Sequence, residues 1–288
     1  MEARLERETD ALLAAWRSKS KADLRDGLVS GLQDPRLSLQ RVLMRHFFTN
    51  ELWPGRFEDL MVAELAHVCR LNLEYATGRS PSEPALNRFG RIWRAALDPI
   101  PAGRLSVLEI ACGSANDYRC LDSYGLARHL DYTGLDLNRQ NIANACEMFP
   151  DARFEQGNVF ELGADGERFD YVFVADLFEH LSFHAIGVAV ERVCAVATKS
   201  VVINFFRMCD AVEHQYRAVP ERQYYWHTLS MTEMTRLFAR HAMHVDVVRM
   251  ADHVGPDFDF AAHYEHRATF FVAMGHGGGK IRGAGTGA

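Results

Sequence analysis

Beyond residue 100 the chain alternates short apolar runs with longer stretches in helical rhythm. The runs lie at 106–111, 132–136, 152–157, 169–175, 200–206, 244–250 and 268–274. Helical candidates fall between most of them, at 116–129, 138–148, 182–198 and 229–242. Strands that alternate with helices predict an α/β fold: a doubly wound, mostly parallel seven-stranded sheet with both faces covered. The last two runs have no helix between them and are expected to pair antiparallel at one edge. Before residue 98 the pattern is helical throughout. Leu5, Leu12, Leu13 and Trp16 share one helical stripe, and Phe57, Leu60, Met61, Leu65 and Val68 share another. Pro35, Pro54, Pro81 and Pro84 punctuate this region as starts and stops. The segment DPIPAG at 98–103 is a natural boundary. The expected organisation is a helical N-terminal or lid region over 1–100, a sheet domain over 101–275 and a tail over 276–288. That tail holds six glycines in thirteen residues and is expected to be disordered.

Composition narrows the class. The chain has 288 residues, 48% hydrophobic and 24% charged, an ordinary globular balance with length enough for a full core. Net charge is −6, and the acidic excess falls after residue 100. Nucleic-acid binders gain affinity by neutralising phosphate, so no nucleic-acid partner is expected. No apolar run approaches the ~20 residues of a membrane span, and the polar start MEARLERETD lacks the apolar core of a signal peptide. A cytoplasmic location without a membrane partner is the expectation. The six cysteines form no C-x-x-C pair and read as free thiols, buried as small apolar residues except for Cys112. Glu64 lies near the second helical stripe. It either faces a site or, more commonly, reaches solvent from the stripe edge.

The chemistry begins at the turn after the first strand, Glu109-Ile-Ala-Cys-Gly-Ser-Ala115. Ligands of open α/β sheets bind outside the carboxyl ends of the strands, so this turn must let backbone approach a ligand, and Gly113 permits that. A dinucleotide site would show three glycines here. Ala111 and Ala115 stand instead where other turns carry glycine, and no phosphate-cradling loop is present. A nucleotide-like ligand without phosphate fits better. Asp136 ends the second strand, 23 residues after Gly113, where an acid can accept hydrogen bonds from both hydroxyls of a ribose. The alternative is a helix N-cap, a role that Asn138 can fill itself.

In order, VLEIACGSA (107–115), YTGLDL (132–137), FEQGNVFEL (154–162) and FDYVFVADLFEHL (169–181) resemble the class I S-adenosylmethionine-dependent methyltransferases, over about 105–275. The resemblance implies a Rossmann-like methyltransferase fold with S-adenosyl-L-methionine as cofactor. Glu109 then matches the acid of the first motif, Ala111 a common variant, and Gly113 the middle glycine beside the methionine moiety. Ala115 departs from the family's glycine. Asp136, with Leu137 beside it, matches the ribose acid. Asn158 and Val159 match the positions about the adenine, and Asp176 the residue at the mouth between cofactor and substrate. The residues themselves agree at the fourth strand, where FDYVFVA runs into Asp176-Leu-Phe-Glu-His180. His180 is the general-base candidate, because imidazole accepts a proton near neutral pH. The alternative is that Glu179 and His180 only begin the next helix. Asp176 and His180 are the candidate catalytic pair.

The acceptor remains to be placed. The stretch 204–228 is long for a connection, and long connections are often functional. It carries Arg207, His214, Tyr224, Trp226 and His227, interleaving aromatic and charged groups that suit either a small-molecule acceptor or a solvated lid. A polar cluster at 252–266 matches no metal spacing, and no metal is expected. The place after strand four lacks the Pro-Pro box of the family's adenine-amino methylases, and only Glu179 stands where its arginine methylases carry two glutamates. The reading is therefore methyl transfer to an oxygen or nitrogen of a small molecule by in-line displacement. Alternatives are a protein or RNA methyltransferase, a silent binding module, and aminopropyl transfer, which would need paired aspartates. A homodimer is left open.

Overall fold

The computed structural model describes residues 35–97, 103–219, 224–250, 252 and 268–274. The stripe from Leu5 to Trp16, the glycine-rich tail and nearly all of the 252–266 cluster lie outside the described residues. Seven strands form one sheet: β1 (Leu105–Ile110), β2 (Leu130–Asp136), β3 (Arg153–Gln156), β4 (Phe169–Ala175), β5 (Ala197–Phe205), β6 (His244–Arg249) and β7 (Ala268–Ala273). Their order is β6-β7-β5-β4-β1-β2-β3. The first five run parallel, while β7 is antiparallel to both β5 and β6, so the last two runs do pair at one edge. Chain order reverses beside β1, and this places a crevice at the carboxyl ends of β1 and β4.

Eight helices are described: α1 (Leu39–Leu52), α2 (Glu58–Ala76), α3 (Glu83–Leu86), α4 (Arg88–Ala96), α5 (Asn116–Ser123), α6 (Arg139–Met148), α7 (Phe183–Val196) and α8 (Met231–Phe238). The expected helix at 116–129 stops early because Gly125 turns the chain at φ +79°, and a short 3-10 turn, Ala127–His129, follows. Strand alternation sorts the core into two faces. Val172 and Val174 of β4 and Val201 and Ile203 of β5 point to one side, onto Ile186, Val190 and Val193 of α7 and Phe238 of α8. Tyr171 and Phe173 point to the other, onto Met44, Phe47 and Phe48 of α1 and Trp93 of α4. The rings of Phe47 and Phe48 meet Tyr171 edge-on at 5.6 and 5.9 Å, and Phe47 stacks on Phe271 of β7 at 5.3 Å. The N-terminal helices thus complete the core of the sheet.

Two polar connections fix α1 to the sheet. Gln40 is buried and donates to the carbonyls of Phe205 (2.9 Å) and Ala268 (3.1 Å), at the ends of β5 and β7. Arg41 pairs with Asp117 in the first turn of α5. The second helical stripe packs inward as expected, but Glu64 does not reach solvent. It is fully buried. Arg45 donates to both its carboxylate oxygens (2.7 and 3.1 Å), Trp93 Nε1 donates at 2.7 Å, and His46 Nε2 lies at 2.8 Å. The Arg45 guanidinium also rests 3.5 Å from the centre of the Tyr124 ring. Burial alone would raise the Glu64 pKa, but Arg45 and its other donors hold it down at about 2. The free thiols are less uniform than expected: Cys112, Cys120 and Cys194 are buried, Cys69 and Cys209 are half-buried, and Cys146 is exposed.

Candidate functional site

The turn after β1 is built on left-handed backbone. Ala111 (φ 60°), Gly113 (φ 55°) and Ala115 (φ 62°) all lie in the region that favours glycine. Together with Asp176 (φ 52°), just after β4, the two alanines are the only non-glycine residues with positive φ among those described. All three sit where the crevice opens, as stored strain commonly does. The alanines therefore keep the glycine geometry that their side chains resist. A left-handed alanine costs about 1–2 kcal/mol, and glycine's extra unfolded-state freedom returns roughly 0.5–1 of that. Ala111→Gly is therefore expected to raise stability by up to about 1 kcal/mol in thermal denaturation. A lowered melting temperature would mean that the methyl group makes a contact worth more than the strain.

Asp136 joins the turn to β2. Its Oδ2 accepts from the Gly113 N–H (2.9 Å), and its Oδ1 accepts from the Asn138 N–H (2.8 Å) and Asn141 Nδ2 (3.2 Å). Burial raises its pKa, although these three donors work against the rise. Asn138 caps α6 by accepting from Gln140 N–H, which leaves Asp136 to the crevice. A Cβ at Gly113 would meet nothing within 4 Å, so the space beside the turn is open. At Gly157 a Cβ would come within 2.4 Å of Leu135 Cδ1, so that position must be bare for Leu135 to line the crevice.

A small open cleft runs between the ends of β1, β2 and β4 and the segment after β3. Ala111, Asp136, Leu137, Asn158 and Val159 line it, all from the candidate cofactor set. Sequence reasoning did not single out Phe160, Leu177 and Leu181, which complete its apolar wall. Their position beside the motifs was the only signal. Glu109 is not in this wall. It lies buried beneath the turn, where Tyr132 OH donates to Oε2 (2.6 Å) and Oε1 has no hydrogen-bond partner among the described residues. Burial, reinforced by Asp117, pushes its pKa well up. The same acidic surroundings, added to burial, push up the Cys112 thiol.

After β4 the short 3-10 turn Phe178–His180 carries the second half of the site. Glu179, fully buried, ties three segments together: Oε1 accepts from the N–H groups of Phe206 (2.9 Å) and Arg207 (3.3 Å), and its carbonyl accepts from His227 N–H (2.9 Å). Its Oε2 has no hydrogen-bond partner among the described residues. Burial and then Asp176 push its pKa up to about 8. His180 Nδ1 lies 3.0 Å from the Tyr225 carbonyl, so Nδ1 carries the proton and donates.

The 204–228 stretch folds as two small ladders. Met208–Cys209 pairs with Leu229–Ser230, and Ala218–Val219 pairs with Tyr224–Tyr225. Ring and cation contacts about these ladders link Arg207, Arg217, Phe206, Trp226 and His180, and link Phe183, His214, Tyr216 and His227. The Tyr224 side chain lies outside the described residues. His227 is fully buried among the rings of Phe183 (4.5 Å), Tyr225 (4.9 Å) and Tyr216 (5.1 Å). Its Nδ1 accepts from Arg217 N–H, and burial lowers its pKa to about 4, so the ring is neutral at pH 7. His214 accepts from Ser230 N–H at Nδ1 and faces Glu233 through Nε2. Among the described residues, no cluster of metal-ligand side chains occurs, and no helix is long and apolar enough to cross a membrane.

Residues 107–200 match the family model of a methyltransferase domain. No curated protein matches the chain. Solved structures do. A Burkholderia thailandensis 1,6-didemethyltoxoflavin-N1-methyltransferase, with bound 1,6-didemethyltoxoflavin and S-adenosylhomocysteine, is 20% identical over 75% of this chain and 89% of its own, with a TM-score of 0.47. DesVI of Streptomyces venezuelae is 15% identical over 66% of this chain and 92% of its own, with a TM-score of 0.43. The magnesium protoporphyrin IX methyltransferase ChlM from Synechocystis PCC 6803, with bound S-adenosylhomocysteine, is 10% identical over 66% of this chain and 83% of its own, with a TM-score of 0.42. The domain match falls on the strands that build the cleft, so residues 107–200 of this chain are similar to a methyltransferase domain.

Proposed function

We propose that the cleft holds S-adenosylmethionine and that its methyl group passes to an oxygen or nitrogen of a small, planar acceptor lying against the aromatic residues after β5. The observation that carries this reading is Asp136, at the end of β2 and wired to the Gly113 N–H, beside an apolar slot lined by Leu137, Val159 and Leu177. Asp136 would hold the ribose hydroxyls, Asn158 and Val159 would flank the adenine, and the open turn at Gly113 would receive the methionine moiety. The Gly113 N–H, which would face a phosphate in a dinucleotide turn, is committed to Asp136. When bound, the cofactor supplies an activated methyl on a sulfonium. The chain's own residues have to align the acceptor, exclude water and move a proton. His180, held by its Nδ1–H bond to Tyr225, would take that proton at Nε2, and Asp176 would order the mouth between the two halves.

Calorimetric titration tests the reading. Micromolar binding of S-adenosylhomocysteine, with no heat from NAD, is expected. A folded sample that binds NAD, or neither ligand, would remove the enzyme reading and leave a silent binding module.

A further inference from the structure

Arg207 and Arg217 converge on one indole. Their guanidinium carbons lie 5.9 and 6.0 Å from the Trp226 ring centre. Arg207 leaves the carboxyl end of β5, half-buried, with Nε and Nη2 donating to the neutral Thr228 hydroxyl. No carboxylate among the described residues forms an ion pair with either arginine. The acids nearby are committed elsewhere. Asp210 pairs with Arg249, Glu233 faces His214, and Glu179 is buried on the backbone N–H groups of Phe206 and Arg207. Two like charges thus share one indole, one of them partly desolvated, and burial followed by Arg217 lowers the Arg207 pKa. Such an arrangement costs stability unless an anion offsets it. A planar guanidinium fork suits a carboxylate or phosphate oxygen pair.

Around this pair stand flat surfaces. Phe206 lies 5.9 Å from Trp226 and 5.5 Å from His180. Phe183, Tyr216 and His227 continue the same wall, with Phe183 and Tyr216 exposed. Buried His227 keeps Nδ1 on the Arg217 N–H, so its proton sits on Nε2, which has no hydrogen-bond partner among the described residues. We propose that Arg207 and Arg217 seat an anionic group of a planar aromatic acceptor, which makes the substrate an aromatic acid or aryl phosphate. The assignment rests on the acceptor site proposed above.

The test uses a matched pair of probes, 4-hydroxybenzoate and 4-hydroxybenzamide, which share ring and hydroxyl and differ in charge. Each is titrated by ligand-observed NMR into the full chain, with and without S-adenosylhomocysteine, and into the Arg207→Gln/Arg217→Gln double variant. The acid is expected to bind at least roughly tenfold more tightly than the amide, the charge-assisted margin of one such site. That preference should shrink on adding salt and fall below about twofold in the double variant. Equal affinities, no detectable acid binding at about 5 mM, or a preference that survives in the double variant would each overturn the proposal. S-adenosylhomocysteine affinity of the double variant, measured alongside, checks its fold. If S-adenosylhomocysteine binds and the acid preference is absent, only this inference falls. If S-adenosylhomocysteine fails in the unmodified chain while the acid preference holds, the methyltransferase reading falls and the anion site stands.

Discussion

Asp136→Ala is expected to weaken S-adenosylhomocysteine binding by roughly 100-fold. Hydrogen bonds to a charged acceptor contribute about 1.5–3 kcal/mol each, and the carboxylate would accept two from a ribose. The loss has a second source. Asp136 also receives the Gly113 N–H, so its removal unpins the strained turn on which the ligand would rest. Asp136→Asn separates the two effects, because an amide oxygen can keep one of these bonds. It is expected to retain more affinity than the alanine variant. Calorimetry measures both, with thermal melting as the check of fold. Unchanged affinity in Asp136→Ala would remove the ribose assignment, and with it the orientation of the cofactor.

Glu64→Gln is expected to lower stability by about 3–5 kcal/mol, the usual cost of stranding one partner of a buried ion pair. In a chain of this size that corresponds to a fall of roughly 10 °C in melting temperature. The variant leaves Arg45 buried and positive, and it turns an acceptor of four contacts into a mixed donor and acceptor. The pH dependence carries the same signature. The Glu64 carboxyl titrates near 4.5 in the unfolded chain and at about 2 in the folded one. Below pH 4.5 the unfolded state binds a proton that the folded state refuses. The stabilisation is therefore complete above pH 4.5 and is lost as pH falls toward 2, by about 3 kcal/mol. Denaturant midpoints near pH 5 and pH 3 should converge between the two proteins. A constant gap across that range would show that packing, not charge, is what the glutamate supplies.

The sheet was legible because each strand is an apolar run of its own, bounded by turn residues, and local pattern suffices for that. Asp136 was legible because it ends a strand at a telling distance from Gly113, whereas Asn158 and Val159 were found through the family resemblance; all three line the cleft with Leu137. Glu64 was not legible. A helical stripe gives the inward face of α2 but not the partners, and its partners come from α1 and α4. Ala115 looked like a departure by identity, yet its backbone holds the conformation of the glycine it replaces. Glu179 was weighed as the start of a helix because its partners are main-chain N–H groups at 206 and 207, which no side-chain pattern encodes. Arg217 was legible as one of the charged residues of the 204–228 stretch, but its backbone bond to the His227 imidazole was not, since ten residues and a turn separate the two.

The Gln40 amide has a consequence for synthesis of the chain. Its acceptors lie 165 and 228 residues downstream, so ribosomes make the donor long before either carbonyl exists. At ~5–20 residues per second the wait for residue 268 is roughly 10–45 s. Until the end of that interval α1 lacks the Ala268 carbonyl, and Phe47 lacks the Phe271 ring on which it stacks. The earliest segment of the described fold is therefore the last to be locked, and a chaperone that shields the nascent N-terminal helices would act in that window.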